Sequence, residues 1–226
     1  IRASEAGLTI LGDDQRCWEA AILNGNMADA YNKQGHRHQF RAIMTHVLSF
    51  LPLVPCATGE IFVTYGHLVT LCLERKAIAE ALAWLQRIEQ GLQANYDLAP
   101  LSWAHTWVAV WLYEALGDRA AVYTHCQIGL DLCRQTGIIY DRVRGVAALA
   151  QYYFDQGELA QAETATQEAQ SYRAQVSAIG ELADGSDLLA RIAYGRGDLA
   201  LATTYAEESL ALVEQSGFTF ARPARQ

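Results

Sequence analysis

A pattern that repeats every 40 or 41 residues constrains the fold of this chain more than any other feature. The pattern recurs in five segments: "YNKQGHRHQF", "CLERKAIAEA", "YEALGDRAAV", "YFDQGELAQA" and "AYGRGDLALA". We call their central residues the pivots, and these are Gly35, Lys76, Gly117, Gly157 and Gly197, at separations of 41, 41, 40 and 40 residues. A period of this length indicates a repeat architecture, in which each unit packs on its neighbours.

Positions at fixed distances from the pivots are small or apolar. Seven residues before the pivots stand Ala28, Val69, Val110, Ala150 and Ala190; four before stand Tyr31, Cys72, Tyr113, Tyr153 and Ala193; five after stand Phe40, Ala81, Val122, Ala162 and Ala202. A pivot glycine readily takes the left-handed conformation that ends a helix. An acid at Asp118, Glu158 or Asp198 then suits the positive end of the next helix. Lys76 departs from the glycine pattern, which predicts a tighter or more continuous bend at that turn.

Each unit is therefore predicted to be a pair of antiparallel helices joined at the pivot. Gly137 and Gly217 are expected to close second helices, and Gly180 and Gly185 to lie in a loop between units. Stacked hairpins bury apolar faces that one hairpin leaves exposed, so we predict an all-α, right-handed superhelical solenoid. Residues 1–226 are expected to form a single repeat domain of about five hairpin units. Both ends fall inside the pattern, so we expect a piece of a longer solenoid with uncapped ends that allow self-association.

The segments resemble tetratricopeptide repeats, whose central turn has a Tyr, then Gly-Asp or Gly-Glu, then an Ala. "YNKQGHRHQF", "YFDQGELAQA" and "YGRGDLALA" carry this resemblance, and Ala150, Ala162, Ala190 and Ala202 match the family's helix contact positions. Typical tetratricopeptide units have about 34 residues. The longer units here, such as "LARIAYGRGDLALATTYAEESLALVEQSG", are similar to those in the sensor regions of large bacterial ATP-dependent regulators of the LuxR type. The resemblance implies a scaffold or sensor segment, with any catalysis or DNA binding elsewhere in the parent protein.

Composition excludes several classes of partner. The net charge is −8 and no run of five like charges occurs, which argues against direct nucleic-acid binding. No stretch reaches the roughly 18 apolar residues of a membrane span. The five cysteines form no C-x-x-C pair, so we expect free thiols in a reducing, cytoplasmic compartment.

No group of residues in the sequence predicts an enzyme. His36 and His38 are two residues apart and do not face each other on a helix, so they do not predict a metal site. His67, His105 and His125 are isolated in the sequence, and a general base needs a positioned partner. Phosphate-binding loops and nucleophile motifs are absent. We expect no catalysis, no cofactor and no metal.

The stretch "SWAHTWVAVWLYEALGD" places Trp103, Trp107 and Trp111 four residues apart, on one face of a helix. The family resemblance implies that Val110 and Tyr113 occupy core positions, and that Trp107 and Trp111 face the concave groove. Aromatic anchors mark binding surfaces, so we predict that these two indoles bind a partner. The alternative is that they fill gaps between helices, and Trp103 is open to either interpretation.

The same register predicts the polar residues of the groove. These are Asp29, Asn32, Lys33, Thr70, Glu74, Glu114, Arg144, Gln151, Asp155, Asp187 and Arg191. They would clamp a ligand around the indoles, although ordinary solvation explains each of them equally well. Our first hypothesis is a non-catalytic scaffold that binds a protein, a peptide or other domains of its parent chain. The alternative is a sensor of a small molecule such as a sugar or an aromatic metabolite.

Overall fold

The regular structure of the described residues is entirely helical. The computed structural model describes residues 1–12, 17–34, 36–51, 59–94, 98–172, 175–176 and 179–216. Its helices are α1 (Arg2–Leu11), α2 (Trp18–Lys33), α3 (Arg37–Phe50), α4 (Gly59–Glu74), α5 (Ile78–Ala94), α6 (Leu98–Trp103), a π-helical segment (Ala104–Ala109), α7 (Val110–Leu116), α8 (Arg119–Thr136), α9 (Ile139–Asp155), α10 (Leu159–Ser171), α11 (Ile179–Gly195) and α12 (Leu199–Ser216). The all-helical prediction is therefore confirmed. No helix in this part of the chain is long and apolar enough to cross a membrane.

The helices form two compact units, Ile1–Ala104 and His105–Gln226. In the first unit, α2 pairs with α3 and α4 pairs with α5, while α1 packs on α2. In the second unit, α8 follows α7, α9 pairs with α10, and α11 pairs with α12. Successive hairpins also pack on each other within a unit, through α2 with α4 in the first and α10 with α11 in the second. That all 226 residues act as a single repeat domain stays a prediction.

The turns between paired helices share one geometry. The backbone angle φ is 58° at Lys76 and 71°, 78° and 82° at the three glycine pivots that follow it. In the turn at Lys76, the N–H of Ala77 donates to the carbonyl of Cys72 at 2.8 Å, and bonds of 2.9, 2.9 and 3.0 Å close the next three turns in the same way. Lys76 thus forms the same left-handed turn as the glycines, and the expected continuous bend is wrong. Gly35 lies outside the described residues.

The positions seven before and five after the pivots lie mostly in the core, as predicted, whereas Tyr31, Tyr113 and Tyr153, four before, are only half-buried. All five residues that stand seven positions before a pivot are buried, and Ala28 and Ala150 have no exposed surface. Five positions after the pivots, Phe40, Ala81, Val122 and Ala162 are buried and Ala202 is half-buried. The small and apolar positions that repeat in the sequence are therefore mostly the positions at which helices pack on each other.

The loop predicted at Gly180 and Gly185 is wrong, because both residues lie inside α11. A Cβ at Gly185 would stand 2.6 Å from Nε2 of Gln170 on α10, so this glycine allows two helices to approach closely. Gly137, in contrast, ends α8 with a φ of 73°, as predicted. Gly217 lies outside the described residues.

Candidate functional site

The first helix of the third hairpin is not a regular α-helix. Between α6 and α7, residues Ala104–Ala109 form a π-helical segment, which the four-residue spacing of the tryptophans did not predict. Thr106 in this segment is buried, and its Cγ2 would lie 2.5 Å from a Cβ at Gly129 and 3.1 Å from one at Gly145. Helices α8 and α9 therefore both approach the π-helical segment very closely at Thr106. π-helical turns occur frequently at functional sites.

Trp107 and Trp111 form a stacked pair outside the core of their unit. Their ring centroids are 5.8 Å apart with an interplanar angle of 29°, and both side chains are half-buried. Val110, between them in the sequence, is only 5 % exposed and packs with Val122 and Cys126 of α8 in a core cluster. The helix thus presents two different surfaces, one apolar and buried and one aromatic and partly open.

Arg144 of α9 extends the pair into a four-membered stack. Its guanidinium carbon lies 5.2 Å from the ring centroid of Trp107 and 4.6 Å from that of Tyr140. The Nη2 group of Arg144 also donates a hydrogen bond of 2.8 Å to the Tyr140 hydroxyl. We call Trp107, Trp111, Arg144 and Tyr140 the aromatic ladder. Cation–π contacts hold the guanidinium in place, and all four side chains retain exposed surface.

A polar network lies on α9 and α11 of the same unit. Nε2 of Gln151 donates to Asp155 at 2.7 Å, and Nη1 of Arg191 donates to Oε1 of Gln151 at 3.4 Å. Arg191 also lies over the ring of Phe154 at 4.4 Å and 3.9 Å from the Asp187 carboxylate. Gln151 and Arg191 are both six residues before their pivots, as is Trp111. The side chains at this register position of the fourth and fifth repeats therefore contact each other.

In the first unit, two predicted groove residues take part in an ion-pair network. Oδ1 of Asn32 accepts a hydrogen bond of 2.6 Å from Arg37. The Glu74 carboxylate accepts from Arg37 at 3.2 Å and from Arg41 at 2.7 Å. Both side chains thus contribute to contacts among α2, α3 and α4. These contacts hold the hairpins together without requiring any partner.

The remaining predicted residues are dispersed. Thr70 is 4 % exposed and its hydroxyl donates to the carbonyl of Gly66, so the structure places it in the interior and not on an open surface. Asp29 lies 3.9 Å from the buried His67 ring, and Glu114 is exposed on α7. Trp103 is half-buried at the end of α6, in the first unit. The Lys33 side chain lies outside the described residues.

A histidine pair in the second unit was missed by the sequence analysis. The Nδ1 atoms of His105 and His125 are 2.7 Å apart, and His125 stacks between His105 and Tyr113 with centroid distances of 5.0 Å. Burial and then the neighbouring His125 lower the pKa of His105 to about 4, and burial also lowers the pKa of His125. Both rings are therefore neutral at pH 7. With both rings neutral, one Nδ1–H donates a hydrogen bond to the Nδ1 of the other ring.

Comparison with known proteins identifies similar folds but does not identify a function. No protein-family model matches the chain, and no curated protein matches it. Among solved structures, it is similar to BtubC (BKLC) from P. vanneervenii, with a TM-score of 0.65 and 12 % identity over 100 % of this chain and 92 % of that one. It is also similar to a putative kinesin light chain from Podosopora anserina with nearly identical TPR-like repeats, with a TM-score of 0.55 and 14 % identity over 85 % of this chain and 94 % of that one. The fold is therefore a tetratricopeptide-like solenoid of helix hairpins.

Proposed function

We propose that this chain is a non-catalytic protein-interaction module that binds a peptide segment of a partner on the aromatic ladder. The supporting observation is the stack of Trp107, Trp111, Arg144 and Tyr140, which is partly exposed and lies outside the core. Tryptophan, tyrosine and arginine are the residues that contribute most to binding energy at protein interfaces. An ordered stack also loses little side-chain entropy when a partner binds.

The ladder selects a particular chemistry in the partner. Its indole faces offer apolar contact to an aromatic, aliphatic or proline side chain. The Arg144 guanidinium carries a positive charge, and its planar fork of N–H donors matches the geometry of a carboxylate on the partner. The best ligand is therefore an extended peptide with an apolar residue next to an acidic one. Asp155, Asp187 and Arg191 would contact its polar flank, whereas Gln151 is buried and would only hold Asp155 and Arg191 in place.

The setting that we propose is a larger cytoplasmic signalling or transcription-regulatory protein. This proposal rests on the resemblance of the 40-residue units to those of the LuxR-type regulators. In that setting the partner would be another protein or another domain of the parent chain. A gene that encodes an ATPase or a helix-turn-helix domain together with this segment would support the proposal.

Selection from a displayed peptide library tests the binding surface. The full chain should enrich peptides with adjacent apolar and acidic residues, and the Trp107→Ala/Trp111→Ala variant should fail to retain them. Tyr123→Ala, which removes an exposed aromatic side chain from α8, is the matched control and should retain them. Equal retention by both variants would reject the aromatic ladder as the site. A saturable rise in melting temperature with sugars or aromatic metabolites, and no enriched peptide, would favour the alternative sensor function.

A further inference from the structure

The turns at the first and second pivots carry basic side chains, although the whole chain has a net charge of −8. Residues 30–59 contain three Lys or Arg and no Asp or Glu. Arg37 and Arg41 of this stretch lie on α3, and Arg75 and Lys76 directly follow α4. We call Arg37, Arg41, Arg75 and Lys76 the basic edge.

The Glu74 carboxylate holds the two turns together. Its Oε1 accepts from Nη1 of Arg37 at 3.2 Å, and its Oε2 accepts from Nε of Arg41 at 2.7 Å. Arg75 and Lys76 come next in the chain, so their Cα atoms lie within about 8 Å of that of Glu74. Because four cations surround this one acid, the basic edge keeps a net positive charge, even when the exposed Glu80 of α5 is counted.

The basic edge has N–H donors that are available to a ligand. Arg41 is 58 % exposed and bonds through its Nε atom, so its two Nη groups have no partner in the described part of the chain. Arg75 and Lys76 are exposed and form no hydrogen bond or ion pair with the residues that the structure describes. The planar fork of an arginine matches a carboxylate in shape and charge.

Lys76 stands where the other described pivots have glycine. Among the described residues, it is the one residue other than glycine with a positive φ, which is 58°. A Cβ makes this conformation unfavourable, and residues held in such conformations cluster at functional sites. Glycine would fit the turn better, so the presence of lysine indicates that its ammonium group has a function.

The turns at the pivots are open along the repeat, and not only where the described residues stop. The residues one position before the pivots, Arg75, Leu116, Gln156 and Arg196, are all exposed, and so are the four pivots themselves. Successive hairpins pack through their helices, as α2 does with α4. These turns therefore stay exposed where further hairpins follow in the chain.

We propose that the basic edge binds a short acidic segment of a partner protein. Two neighbouring carboxylates of that segment would bind to the Nη groups of Arg41 and to the ammonium group of Lys76, and Arg75 adds to the positive potential. The net charge of −8 repels a long polyanion, which favours a short acidic segment over nucleic acid. Such a segment responds mainly to charges within a Debye length of about 8–10 Å, where the basic edge dominates.

Fluorescence anisotropy with an acidic peptide tests the basic edge. The probe is a labelled peptide of Asp, Glu, Gly and Ser, which has no apolar side chain to contact the indoles of the aromatic ladder. The full chain should bind it saturably at low ionic strength and more weakly as salt is added. Lys76→Gln and Arg41→Gln should each weaken binding about fivefold, as expected for the loss of an exposed ion pair. The double variant should weaken it about twentyfold.

Matched variants separate binding from unfolding and from the aromatic ladder. Lys76→Arg keeps the charge and should bind the probe like the unmodified chain, whereas Lys76→Gly suits the turn and should still lose as much affinity as Lys76→Gln. Arg134→Gln removes one charge from a 63 % exposed side chain on α8 and should have no effect. The Trp107→Ala/Trp111→Ala variant should bind the probe normally, so failure of the proposed function leaves this test intact.

Three results would overturn the proposal. The first is an affinity that Lys76→Gln and Arg41→Gln leave unchanged. The second is tighter binding of a single-stranded oligonucleotide with the same number of charges at the same salt concentration, which would identify nucleic acid as the ligand. The third is a dimer in sedimentation velocity that Arg41→Gln converts to a monomer, which would identify a second copy of the chain as the occupant.

Discussion

Replacing Lys76 by glycine should stabilise the protein, although it removes a side chain. Lys76 has a φ of 58°, and a residue with a Cβ pays about 1–2 kcal/mol in the left-handed region. Glycine removes that cost, but it increases the entropy of the unfolded chain by about 0.4–1 kcal/mol. The expected net gain is about 0.5–1 kcal/mol in the free energy of unfolding.

The reciprocal change at another pivot provides the matched control. Gly157 has a φ of 78°, and a Cβ at this position would meet nothing within 4 Å, so Gly157→Ala tests backbone conformation without a steric clash. It should lose about the amount that Lys76→Gly gains. Urea denaturation followed by circular dichroism should move the two midpoints in opposite directions with unchanged slopes. A loss of stability in Lys76→Gly, beside the expected loss in Gly157→Ala, would refute the equivalence of the two turns.

Two further predictions concern the second unit. Gly129→Ala should lower the free energy of unfolding by about 1–3 kcal/mol, because the new Cβ would lie 2.5 Å from Cγ2 of Thr106. Gly195→Ala is the control: its Cβ would have its nearest neighbour at 4.0 Å, so the change should be neutral or slightly stabilising. Equal effects of the two changes in urea denaturation would contradict the close helix approach. Because the pKa values of His105 and His125 are lowered in the folded protein, the unfolded chain takes up their protons first as the pH falls. The free energy of unfolding should therefore fall below about pH 6.5, by up to about 1.4 kcal/mol per pH unit and histidine, and for His105 this loss continues to about pH 4. Melting temperatures measured between pH 7.5 and 4.5 should show this loss, and a His105→Gln/His125→Gln variant with the same pH profile would rule the pair out as its source.

The sequence was sufficient for the repeat architecture because helix packing requires small or apolar residues at fixed distances from each turn. Ala150 and Ala162 have no exposed surface for this reason. Backbone conformation was less predictable at glycines, because glycine occurs both in loops and at close contacts between helices. Gly185 resembles a loop residue in sequence, but it serves the close packing of α11 on α10.

The candidate site was predicted only in part. Val110 is buried in a core cluster and the two indoles are half-buried outside that cluster, while their role in binding stays a prediction. It did not predict the stack of Arg144 on Trp107, which depends on the lateral offset of two helices. The contact of His105 with His125 was missed because the two lie twenty residues apart on facing helices, at −12 and +8 from the pivot Gly117.

The role of the aromatic ladder is the central claim, and its most direct test combines stability and binding in one variant. Trp107→Ala/Trp111→Ala removes a stacked pair worth about 0.5–1.5 kcal/mol and one cation–π contact worth about 0.5–1 kcal/mol at an exposed site. If the indoles form a binding surface, the free energy of unfolding should fall by less than about 3 kcal/mol, whereas two tryptophans in a core would cost about 3–5 kcal/mol each.

The measurement is the affinity of a selected peptide for this variant, by isothermal titration calorimetry, beside its urea denaturation curve. We predict a folded protein of nearly normal stability whose affinity for the peptide falls at least a hundredfold, about 2.7 kcal/mol of binding free energy. A variant that binds as tightly as the unmodified chain, or one that loses the stability expected for two core tryptophans, would contradict the assignment of the ladder as a binding site.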